Sequence, residues 1–160
     1  MIKKITLLSI LLIITSLVYS QGIIEGYKDL PWKSTPEKVM EKYPDLKQTS
    51  DFTEKETPYI TYSDNSTILF NFYENQLATV KETFENQTED EIDILTENLL
   101  KNYPGNLFED EKAKTPTIQC FGLFPEGYKS TIIMLVKTKT EEDLYTLDIM
   151  YVYADFMFFL

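Results

Sequence analysis

Two stretches of this chain carry apolar residues at helical spacing, and each is followed by segments in which apolar and polar residues alternate. In the first, Val39, Met40 and Tyr43 fall on one helical face. Ser34 with Glu37 fits a capping box, Thr35 before Pro36 fits an N-cap with proline at the first helical position, and Pro44 ends the segment. In the second, Ile92, Leu95, Leu99 and Tyr103 form the stripe, Thr88 and Glu91 make a capping box, and Pro104-Gly105 is the stop. Glu89, Asp90 and Glu91 put negative charge where a helix dipole is positive. Both segments therefore start on a hydroxyl residue and end on Tyr-Pro.

Strand patterns follow each helix. After the first come PYITYS, TILFNFY and LATVKETFE, the last two joined by a three-residue hairpin loop, Glu74-Asn75-Gln76, with Asn75 left-handed. After the second come TIQCFGLF, YKSTIIMLVK and LYTLDIMYVYADF, separated by Pro125-Glu126-Gly127 and by the polar run from Thr138 to Asp143. Ile132 to Val136 is apolar on both sides, which predicts a central strand covered on both faces. The fold class is α+β: two helices on one face of antiparallel sheet, as one six-stranded sheet or as two helix-β-β-β pseudo-repeats over 31–85 and 88–155. Capping boxes and terminal prolines are common, so coincidence is the second reading of the likeness.

The opening MIKKITLLSILLIITSLVYSQG alters this picture by adding a compartment. Lys3 and Lys4 precede an apolar run, and Val18 and Ser20 are small enough for a signal-peptidase site, so residues 1–20 read as a signal peptide and 21–160 as the mature domain. The run is short for an uncleaved anchor, which leaves no transmembrane segment after cleavage, and no cysteine stands at the cleavage point to carry lipid. The expected location is outside the cytoplasm, in the periplasm, at the cell surface or in the medium.

Charge narrows the partners. The full sequence has a net charge of −11, and losing Lys3 and Lys4 makes the mature chain more negative still. Every basic residue is Lys, so a surface without guanidinium forks repels phosphate backbones, and a basic or neutral envelope protein or peptide is the expected partner rather than nucleic acid. The absence of His removes imidazole triads and His-ligated zinc, and the single Cys120 removes internal disulfides and thiolate metal cages. Cys120 reads as a small buried residue in a strand. With five Gly and no phosphate-binding loop, no cofactor is expected.

The acidic clusters Glu89-Asp90-Glu91, Glu109-Asp110-Glu111 and Glu141-Glu142-Asp143 read as solvated surface, weak cation binding being the lesser reading. A carboxylate-dependent hydrolase, glycosidase-like, needs two carboxylates facing across a cleft and is the first alternative function. A small outer-membrane β-barrel ending on the aromatic DFMFFL is the second, opposed by the charged amphipathic segment from Glu89 to Tyr103. The tail otherwise completes the last strand and packs on the core.

The segment LPWKSTPEKVMEKYP, with Trp32, Ser34, Glu37 and Val39 ahead of the hairpin FNFYENQLATV, resembles the opening of small exported bacterial α+β domains of the SmpA/OmlA type and of the tandem-repeat β-lactamase inhibitor proteins. Lys33 stands after Trp32 where such domains carry Gly, and the lipoprotein cysteine is absent. The resemblance covers the first half of the mature chain. It implies a non-catalytic, protein-contacting domain of the cell envelope.

Tyrosine is abundant, with 11 in the chain beside 10 Phe. In the last strand Tyr145, Leu147, Ile149, Tyr151 and Tyr153 alternate onto one face. One reading turns them toward the helices, with hydroxyls at the core margin. The functional reading makes Tyr145, Tyr151 and Tyr153 an exposed binding stripe on the helix-free face. Trp32 either joins such a patch or staples the first helix to the sheet.

Overall fold

The computed structural model describes residues 25–49 and 55–158. The signal-peptide expectation and its cleavage point lie outside the described residues, as do Phe159 and Leu160.

An antiparallel sheet of eight strands forms the body. Its strands are β3 (Lys47–Gln48), β4 (Glu56–Tyr62), β5 (Thr67–Tyr73), β6 (Gln76–Gln87), β7 (Leu107–Glu109), β8 (Ile118–Leu123), β9 (Thr131–Lys139) and β10 (Tyr145–Tyr153). A small hairpin, β1 (Gly26–Tyr27) with β2 (Leu30–Pro31), stands apart from it. The helices are α1 (Pro36–Lys42) and α2 (Glu89–Asn102), and a 3-10 turn (Ala154–Phe158) follows β10. This is the α+β architecture expected. The spatial order β3-β4-β5-β6-β10-β9-β8-β7 leaves two open edges, so the sheet is not a closed barrel. It reads 3-4-5-6 from one edge and 7-8-9-10 from the other, and the last strand of each run meets at a central seam, β6 against β10.

Two strands more than the six expected come from β3 and β7, which are only two and three residues long and carry no readable alternation. The hairpin between β5 and β6 has two loop residues, not three. Both Glu74 (φ 49°) and Asn75 (φ 65°) are left-handed, the geometry that matches strand twist in a two-residue turn.

The two helix starts differ. Thr88 accepts the Glu91 N–H, and Glu91 Oε2 accepts the Thr88 N–H at 2.8 Å, so the second capping box forms as read. At α1 the cap is Thr35 with Pro36 at the first helical position, and its side chain makes no cap bond. Ser34 is not the cap, because its hydroxyl donates to the Pro31 carbonyl at 2.7 Å.

Both helices lie on one face of the sheet. Tyr43 at the end of α1 packs on Phe70 of β5, and Tyr103 at the end of α2 packs on Tyr151 of β10. The β1–β2 hairpin fills the space between them, with the fully buried Tyr27 edge-on to both Phe70 and Tyr151. Under this layer lie Ile68, Phe70, Phe72, Val80, Phe84, Ile133, Leu135, Leu147 and Ile149. Trp32 is buried but staples the hairpin to the sheet rather than α1, its Nε1 donating to Thr131 Oγ1 at 3.0 Å.

Strand β9 is interior, yet among the described residues only one of its faces is covered. Ile133 and Leu135 are buried, whereas Ile132, Met134 and Val136 are half-buried on a face that no described helix crosses. Cys120 is half-buried on that same open face, not enclosed. The tail does not prolong β10; it turns into the 3-10 segment, and Phe156 packs on Tyr73.

Candidate functional site

The centre of the covered face holds a charge. Pairing register puts Phe121, Leu135, Ile149, Glu82, Ile68 and Thr61 in one row across the sheet, so Glu82 is the one charged residue in that row, flanked at the seam by Ile149 and Ile68. Its residue is only 6 % exposed. Burying a carboxylate without partners is too costly to persist, so the surrounding fold supplies them. Tyr27 Oη donates to Glu82 Oε1, and Lys28 Nζ lies 2.9 Å from the same oxygen.

Both partners come from the β1–β2 hairpin. Gly26 opens it because a Cβ there would sit 1.9 Å from the Leu30 carbonyl oxygen. Lys28 occupies the tight turn in a left-handed conformation (φ 54°), and its N–H donates to Tyr103 Oη at 2.8 Å. The backbone of Lys28 is thus fixed to the end of α2 while its ammonium reaches over the Tyr27 ring, 4.7 Å from the centroid.

The two Tyr-Pro stops converge here. Tyr43 and Tyr103 are the C-cap residues of α1 and α2, with nearly identical backbone angles (φ −120°, ψ 77° and φ −129°, ψ 76°). The following proline disfavours helical geometry at the tyrosine and directs the chain outward. Each tyrosine then points into the cluster around Tyr27. Burial, reinforced by the Glu82 charge, raises the pKa of Tyr27 and Tyr151 far above the usual phenol value and pushes Tyr103 up to about 12. Tyr43 is raised mainly by burial as well. Four neutral phenols therefore surround one carboxylate.

Above this cluster, between α2 and the sheet, lies an open cleft of about 490 Å³. Lys28, Glu82, Tyr103, Tyr128 and Tyr151 line its polar and aromatic side, and Asn98 and Asn102 of α2 form the rim. The volume falls in the range of small-ligand sites, on the order of 300–1,000 Å³. Glu82 is the only carboxylate among the described residues that line it, so the cleft lacks the facing pair a glycosidase uses. Among the described residues no group of three or more His, Cys, Asp or Glu is placed to hold a metal.

The expected tyrosine stripe is corrected in its placement. Tyr145, Tyr151 and Tyr153 share one face of β10, but it is the helix-covered face, not the open one. Tyr151 is core, 4 % exposed, because Tyr27 and Tyr103 pack against it. Tyr145 stacks under Lys137 Nζ at 4.2 Å beside the start of α2, and Tyr153 lies near Trp32 and under Lys33. The three rings border three separate depressions and form no common platform.

Glu82 escaped the sequence reading, though a signal existed. Along β6 it shares parity with Val80 and Phe84, so a charged residue interrupts the apolar side of an alternating strand. The open face instead carries Phe108, Gly122, Met134, Met150, Lys81, Leu69 and Ile60 in its matching row. A Cβ on Gly122 would meet nothing within 4 Å, so none of the described residues roofs that point. Comparison with protein-family models, curated proteins and solved structures finds no match to this chain.

Proposed function

We propose that this chain is an exported, non-catalytic binding protein of the cell envelope, and that a basic or neutral protein or peptide seats in the cleft between α2 and the sheet. The observation that carries the reading is a buried carboxylate, Glu82, at the floor of a tyrosine-walled opening in an acidic protein. Acidic surroundings draw a cationic partner toward such a site and repel anionic ones. Tyr103 and Tyr128 offer rigid contact area at low entropy cost, the property that makes tyrosine effective at interfaces. The signal-like opening supports export, and N-terminal sequencing of secreted protein tests it: a start at Met1 refutes export.

The cleft is tested by filling it. Asn98 is exposed on the rim, so Asn98→Trp blocks the opening without entering the core. Capture of a defined envelope partner by immobilised protein should fall at least about tenfold, the cost of roughly 1.4 kcal/mol of lost contact. Met134→Asp on the open face should leave capture unchanged. The opposite pattern moves the interface to the open face and defeats the reading.

A further inference from the structure

We infer that the cleft recognises the ammonium end of an unbranched alkylamine, as in a lysine side chain, and that Lys28 is a built-in occupant which such a ligand displaces. This deepens the functional reading above and rests on it.

Three observations lead there. The first is the asymmetry of the ion pair: the Glu82 side chain is 8 % exposed, the Lys28 side chain 49 %. The carboxylate is fixed in the sheet, while the ammonium arrives from the solvent side and has an open way back. The second is what holds Lys28. Its backbone is tied to Tyr103 and its turn is closed by Gly26, so the ammonium can leave without disturbing the hairpin. The third is the shape of the recognition group. Tyr27 Oη and Lys28 Nζ converge on one carboxylate oxygen, beside the Tyr27 ring face. The occupant that meets this arrangement is a compact ammonium, engaging a single carboxylate oxygen over an aromatic face without the two parallel bonds of a guanidinium fork.

Exchange costs little because charge is conserved throughout. As a ligand ammonium moves onto Glu82, Lys28 swings into water, and the buried carboxylate stays paired in both states. The intramolecular competitor scales the apparent affinity by the fraction of time it leaves the site free, so removing it should tighten binding.

The test uses n-butylammonium chloride as the probe, with sodium chloride at equal ionic strength and n-butanol as controls. In Lys28→Met, butylammonium should raise the melting temperature where neither control does, and the ring resonances of Tyr27, Tyr103 and Tyr151 should shift. The apparent affinity should exceed that of the unsubstituted protein by about tenfold. The double variant Lys28→Met/Glu82→Gln should lose the response. Equal shifts from sodium chloride, or resonance changes away from these tyrosines, overturn the inference. Should Lys28→Met fail to fold, the titration is run on the unsubstituted protein, where silent tyrosine resonances at saturating probe are equally fatal. If butylammonium is silent while Asn98→Trp still abolishes capture, the cleft binds by other chemistry and the functional reading survives alone. If butylammonium binds and Asn98→Trp leaves capture intact, the ammonium site stands and the cleft is not the partner's seat.

Discussion

The same strands write both faces of the sheet with the same alternation, and the two faces end in opposite chemical conditions. On β6, neighbouring Lys81 and Glu82 point to opposite sides, and each has an ion-pair partner. Lys81 meets Asp148 across the seam at 3.5 Å with both side chains partly wet, and Thr83 Oγ1 adds a hydrogen bond to Asp148 at 2.6 Å. Glu82 meets Lys28 from outside the sheet, under a roof of tyrosines. The lesson is that the covering elements, not the strand pattern, decide which face becomes core. A charge is tolerated there because the roof carries its partners with it.

Raising the pH has the largest effect, and the buried tyrosines concentrate it on the covered face. Burial holds Tyr27, Tyr103 and Tyr151 above the ordinary value of 10.0. In the unfolded chain these phenols ionise near that ordinary value, so the fold's advantage is whole below pH 10 and is lost as pH rises through and beyond about 12. Loss of circular dichroism should coincide with the appearance of their phenolate absorbance. Ionisation of all three with the sheet intact would erase the contrast between faces.

Adjacent residues on β10 sharpen it next. Tyr151→Ala removes a ring buried by Tyr27 and Tyr103 and should cost about 3–5 kcal/mol in urea unfolding. Met150→Ala, one residue away on the open face and half-buried, should cost about 1 kcal/mol. Equal losses would mean that the second face is also covered. The two ion pairs rank lower. Glu82→Gln should cost about 1.5–3 kcal/mol by weakening charged hydrogen bonds, while Asp148→Asn should cost less than about 1 kcal/mol, as partly wet pairs do. Double-mutant cycles with Lys28→Met and Lys81→Met measure both couplings. The smallest perturbation is chemical: Cys120 should react with a small thiol reagent in the folded protein, whereas a cysteine placed at the buried Leu135 should not.

Local features were legible in the sequence, and features requiring a second segment were not. The Thr88–Glu91 box formed because all its partners lie within one turn. Ser34 had a competitor in the Pro31 carbonyl, which hydropathy cannot show. The alternation of Tyr145, Tyr151 and Tyr153 was readable, but its direction depended on where Tyr27 and Tyr103 would pack. Strands β1, β2, β3 and β7 are too short for any period to register. The Tyr-Pro pairs announced helix ends; that both tyrosines would meet around one carboxylate needed the hairpin, which no pattern foretold.

The seam has a consequence in time. Within each run of strands, hairpin neighbours are close in sequence and pair quickly, whereas Thr83 and Asp148 are 65 residues apart. β10 is the last of the described strands to be synthesised, and until it arrives β6 has a bare edge and Glu82 lacks the wall that Ile149 and Tyr151 provide. The pairing that unites the two halves is therefore the one for which an earlier strand must wait longest.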